Sequence, residues 1–247
     1  MIYCLNCNHE ISSNFCPNCG QKATVHRYSV KHFVEHDLIH GIWHVDAGIL
    51  KTIKTLFTTP GHAVREFIIG KRTKLFNYLS LLVIIIGVSH YIGSYSSIKM
   101  SELFAFAGKT SMNDFETFTK NYPKMVLLLT IPFYALATFF WFKKAKLNFT
   151  EHVVLNCYKA AGEFLITMLF TITTLFYTHK TGLLFIFSIT SFVGYLYSFF
   201  FYNQFFSVYG YSKTSLILKS ILSVISYFFV SFVIGIVFVL IKLINDY

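Results

Sequence analysis

Five runs of mainly apolar residues, at 76–95, 125–142, 156–177, 183–206 and 216–241, dominate the carboxyl-terminal two thirds of the chain. An α-helix needs about 20 such residues to cross the hydrocarbon layer of a bilayer. Water leaves these runs few options, because a soluble fold must still present polar groups to its solvent. Only 13% of the 247 residues are charged and 55% are hydrophobic, whereas soluble domains carry about 25% charged residues. Lipid is the solvent that fits. The runs therefore predict an all-α membrane protein with about five transmembrane helices and the lipid bilayer as its first partner. Pro132 falls early in the second run, where a kink is expected, and Tyr95, Trp141 and Tyr177 sit near run ends, as an interfacial aromatic belt requires.

The net charge of +10 would suit a nucleic-acid binder until it is mapped along the chain. Alternating the five spans places fifteen of the 21 Lys and Arg on the side of residues 1–75, and six on the other. Positive charge accumulates on the cytoplasmic face of membrane proteins. The amino terminus is thus expected in the cytosol and the carboxyl end outside. Few basic residues flank the first 24, which disfavours nucleic acid as a partner.

Before the spans lie Cys4-Leu5-Asn6-Cys7 and Cys16-Pro17-Asn18-Cys19-Gly20, two C-x-x-C knuckles. No basic leader or apolar run precedes Cys4, so the head is expected in a reducing compartment, where paired cysteines favour metal over disulfides. Four thiolates complete the closed tetrahedral shell of structural zinc and leave no open position for catalysis. Cys4, Cys7, Cys16 and Cys19 are accordingly the predicted ligands of one zinc ion in a small ribbon, residues 1–24. Asn8 and Gly20, one after each knuckle, are the residue types that accept a positive φ.

Residues 25–75 read as basic amphipathic helices. Apolar residues from Phe33 to Phe57 recur at spacings of three and four, and Thr59-Pro60-Gly61 breaks the pattern before a short helix from His62 to Ile69. Such helices lie in the membrane interface or pack on a bundle. His32, His36, His40 and His44 recur every four residues, close enough for neighbours to share a divalent metal or simply to form a wet, titratable face.

Cys4 through Gly20, His44-Val45-Asp46-Ala47-Gly48, Thr59-Pro60-Gly61, Gly70-Lys71-Arg72 and Phe76-Asn77 follow one another in order. In this the chain resembles an uncharacterised family of bacterial multi-pass membrane proteins with an amino-terminal zinc ribbon, a domain of unknown function. The resemblance is strongest over residues 1–95. It implies the bacterial inner membrane and supplies no activity.

Within residues 76–247, Glu163 stands out as a carboxylate inside the third run, with Lys159 one turn before it. Charges at membrane depth face the bundle interior. Glu163 is therefore expected either to relay protons or cations, with His90 or Asn203-Gln204 as companions, or to pair with Lys159. No phosphate loop, zincin motif or nucleophile elbow occurs. The pattern favours a non-enzymatic adaptor or assembly factor that docks a protein partner at the cytoplasmic face. A transporter or channel-like bundle turning on Glu163, and a membrane enzyme with a metal on the histidine row, are the alternatives.

Overall fold

The computed structural model describes residues 2–29, 48–96, 98, 103 and 123–245, the side chains of 123–129, 231 and 234–245 excepted. The row His32, His36, His40 and His44 lies outside the described residues. At the amino terminus β1 (Ile2–Tyr3) pairs antiparallel with β2 (Glu10–Ile11), Ile2 opposite Ile11. The remaining elements among the described residues are helical: α1 (Ile49–Thr58), α2 (Pro60–Ile68), α3 (Tyr78–Gly93), α4 (Pro123–Trp141), a 3-10 turn (Lys143–Ala145), α5 (Phe149–Thr173), α6 (Lys180–Phe206) and α7 (Lys213–Asn245).

Three of the helix starts have a clear local cause. Pro60 supplies the fixed φ of a first helical turn in α2. The Asn77 side chain accepts from the amides of Leu79 and Ser80 at the head of α3. Asn148 and Glu151 form a reciprocal capping box that opens α5. That box moves the start of α5 seven residues ahead of the apolar run beginning at 156. Similarly, α4 begins at Pro123, so Pro132 lies in the middle of the helix rather than in its first turns.

Among the described residues three helices are long and apolar enough to cross a membrane: α5, α6 and α7 over Lys213–Val230. The 16 residues of α3 rise about 24 Å, less than the roughly 30 Å hydrocarbon layer. Apolar side chains cover the outside of α6 and α7, with Phe185, Phe192 and Phe229 each more than 60% exposed. So large an uncovered apolar surface suits contact with lipid.

The core gathers around the first half of α5, which packs on α3, α4, α6 and α2. Tyr158 is fully buried and its hydroxyl donates to the Phe76 carbonyl, fastening α5 to the approach to α3. α1 and α2 dock on the bundle rather than standing apart: Leu56, Val64, Phe67 and Ile68 are buried. Gly61 is what permits this approach. A Cβ there would fall 2.3 Å from the Phe205 backbone nitrogen, while the Gly61 amide donates to the Gln204 side chain at 2.7 Å.

One end of the bundle collects the start of α3, the ends of α4 and α6, and the starts of α5 and α7. Lys144 donates to the Gly210 carbonyl, and Lys219 to that of Trp141 at 2.8 Å. The cysteine head sits at this end.

Candidate metal centre

The two knuckles are built alike. The Asn8 amide bonds back to the Cys4 carbonyl and the Gly20 amide to that of Cys16, closing one tight turn each. Asn8 at φ 59° and Gly20 at φ 71° then reverse the chain, as the sequence anticipated. Asparagine tolerates the left-handed region better than most side chains, and glycine does so at no cost. The turns leave the amides of the following loop pointing inward at sulfur.

All five cysteines are free thiols. The sulfurs of Cys4, Cys7, Cys16 and Cys19 lie within 4.8 Å of one another, and Cys4–Cys19 and Cys7–Cys16 each stand at 3.5 Å. A tetrahedron with metal–sulfur bonds of about 2.3 Å has edges of about 3.8 Å. The four sulfurs bracket that value, so this donor set can hold one metal ion with a closed shell.

The surroundings tune the thiols differently. Cys19 is lowered to about 6, first by the Asn6 side chain and then by the Gln21 amide. Cys7 is lowered by the backbone at His9 and then by the Asn18 side chain. Cys16 is pushed up to about 11 by burial. The two asparagines act crosswise: Asn6 of the first knuckle serves a sulfur of the second, and Asn18 of the second serves one of the first. Sequence reasoning passed over both, although each knuckle reads C-x-N-C. Hydrogen bonds to ligating sulfur orient it and steady its charge.

The head is fastened to the bundle. The Gln21 side chain, 3% exposed, accepts from the Arg72 amide at 3.0 Å. Arg72 donates to the His26 carbonyl and lays its guanidinium 4.1 Å from the centre of the Tyr28 ring. Next to it, Arg27 grips Glu151 with two bonds, at 2.6 and 2.8 Å. Leu5 covers Gly70, where a Cβ would come within 2.8 Å of its tip. Other apolar residues of the head face outward: Ile2, Tyr3 and Phe15 are all more than half exposed.

A second polar cluster lies inside the bundle. Lys159, 1% exposed, pairs with Glu163 at 2.8 Å. Its ammonium also faces the rings of Tyr227 at 4.6 Å and Tyr134 at 5.0 Å. Ser198 of α6 donates to the other Glu163 oxygen. Of the two alternatives for this carboxylate, the geometry brings together the pair with Lys159. His90 is exposed on α3, and Gln204 is engaged with the amino end of α2. Nearby, Thr138, His152, Asn156 and Tyr202 form a connected chain of buried hydrogen bonds.

Several membrane-length helices beneath a tetracysteine head define the class of protein. Residues 46–89 match the family described as "Protein of unknown function (DUF3667)". The matched segment contains Thr59-Pro60-Gly61, Gly70-Lys71-Arg72 and Phe76-Asn77, and together with the cysteine cluster it fits an uncharacterised family. No curated protein and no solved structure matches the chain.

Proposed function

We propose that the chain is a non-enzymatic, five-span protein of the bacterial inner membrane, an adaptor whose cytosolic head carries one structural zinc and docks a protein partner. The carboxyl end then lies outside. The observation that carries this reading is the outward-facing apolar set Ile2, Tyr3 and Phe15 on a head otherwise pinned to the bundle. Exposed apolar side chains on a head so fixed are candidate contacts for a partner. The Lys and Arg bias supports the orientation, and zinc is the common ion for a closed four-thiolate shell.

Co-purification in mild detergent, with a metal count on the same sample, tests the proposal. An Ile2→Ser, Tyr3→Ser, Phe15→Ser variant is expected to keep its metal and lose its partners. An unchanged set of partners refutes the adaptor role.

The second reading, a transporter or channel-like bundle, draws on the buried Lys159–Glu163–Ser198 group. Proton-dependent flux in liposomes that disappears with Glu163→Gln would favour it. An enzyme with a metal on the histidine row would instead lose a second metal on His40→Ala and His44→Ala.

A further inference from the structure

A cavity of about 600 Å³ opens between the end of α4, the 3-10 turn and the start of α7. Its walls include Lys143, Lys144 and Lys219 together with Trp141, Tyr211 and Ser215, and no carboxylate among the described residues lines it. Among the described residues Arg27 pairs with Glu151, Lys71 and Lys74 with Glu66, and Lys159 with Glu163. None of the three lysines at this cavity has an acidic partner among the described residues. Lys144 and Lys219 donate to the carbonyls of Gly210 and Trp141, which fix the ammonium groups without cancelling their charge. Lys143 lies 4.8 Å from the Phe140 ring centre and makes no hydrogen bond among the described residues. Three positive charges are thus grouped around one opening with no described carboxylate between them.

Such an arrangement calls for an anion, and its position says which kind. The cavity sits where the apolar helices α4 and α7 meet the basic end of the bundle. Phe140 and Leu136 on α4, and Leu218 and Ile225 on α7, are half exposed or more. An amphiphile could place a phosphate among the lysines and the Ser215 hydroxyl while its acyl chains follow these side chains. Basic pockets between membrane helices on the cytoplasmic side bind anionic headgroups. We infer that this cavity binds the phosphate headgroup of an anionic phospholipid. The inference rests on the membrane-spanning reading above.

Trp141 forms one wall, and Trp43 is the only other tryptophan of the chain. In a Trp43→Phe background, Trp141 fluorescence reports on the site directly. The full chain in detergent is titrated with phosphatidylglycerol or phosphatidylcholine, each with brominated acyl chains. Phosphatidylglycerol is expected to reach half-maximal quenching at a mole fraction at least fivefold lower. Lys143→Gln, which disturbs no hydrogen bond, should weaken that preference about fivefold, as expected for one lysine near an anionic headgroup. The triple Lys143→Gln, Lys144→Gln, Lys219→Gln variant keeps side-chain donors and should abolish it. Equal quenching by the two lipids overturns the site and leaves the membrane reading standing. No quenching by either overturns both. Displacement of the brominated phosphatidylglycerol by inorganic phosphate reassigns the cavity to the free anion and overturns the lipid.

Discussion

Adding one methyl group at Gly61 should unseat α2 from α6. The new Cβ would lie 2.3 Å from the Phe205 nitrogen and 2.8 Å from both the Gln204 carbonyl carbon and the Phe201 oxygen. All three are backbone atoms, so no rotamer change relieves the clash. Restoring ordinary contact requires the helices to separate by at least about 1 Å. The Gly61–Gln204 bond, now 2.7 Å, then stretches beyond hydrogen-bonding range. Overpacking costs about 1–3 kcal/mol, and the lost bond about 1 kcal/mol more. Gly61→Ala should therefore destabilise the fold by roughly 2–4 kcal/mol, a fall in Tm of roughly 4–16 °C for a chain of this size. Thermal unfolding in detergent, followed by circular dichroism, measures it. Gly87→Ala is the matched control: it lies in helix α3 with nothing within 4 Å of the added carbon. It should be neutral or stabilising by up to about 1 kcal/mol. If Gly61→Ala matches Gly87→Ala, the close approach of α2 to α6 is wrong.

Three more outcomes can be checked. Asn6→Ala and Asn18→Ala should each lower metal affinity about 10–100-fold while the metal-to-protein ratio at saturation stays constant, as chelator competition would measure. Lys159→Met leaves Glu163 without its ion pair and should cost about 3–5 kcal/mol; adding Glu163→Gln should recover part of it, and an additive double variant would deny the pair. Lys71, and then Lys74, hold the Glu66 carboxyl below its ordinary range. A depressed carboxyl stabilises the fold above its unfolded value of about 4.3, and that contribution is lost as pH falls through the folded value. Because the groups are about a third to a half exposed, the loss in Glu66→Gln should stay below about 1 kcal/mol at pH 7 and vanish in acid; a difference unchanged in acid contradicts it.

The gathering of the four cysteines was legible, since thiol spacing and the residues after each knuckle are local signals. Cys4, Cys7, Cys16 and Cys19 converge as their pattern required, and Asn8 and Gly20 carry the positive φ. What escaped was the crossing of Asn6 and Asn18 between knuckles, because a contact between two loops has no fixed sequence distance. Helix α5 begins ahead of its apolar run for a different reason. Glu151, His152, Asn156 and Lys159 lower the hydropathy of that stretch, yet all are buried with partners. The Asn148-x-x-Glu151 capping box was the signal that could have found it. Ser198 and the tyrosines around Lys159 come from other helices, and only the packing reveals them. Gly61 was visible as part of a break, whereas its role in a close helix crossing depends on α6, over 140 residues away.

The same polar stretch bears on how the protein is made. Helix α5 brings Lys159 and Glu163 into the bundle, and the Glu163 oxygens are satisfied partly by Ser198 of α6, which is synthesised later. Asn156 likewise waits for Tyr202. A nascent α5 is thus a poor passenger for lipid until α6 emerges beside it. The two should leave the insertion machinery as a hairpin, and a ribosome stalled between them should strand α5 where a chaperone or protease can reach it.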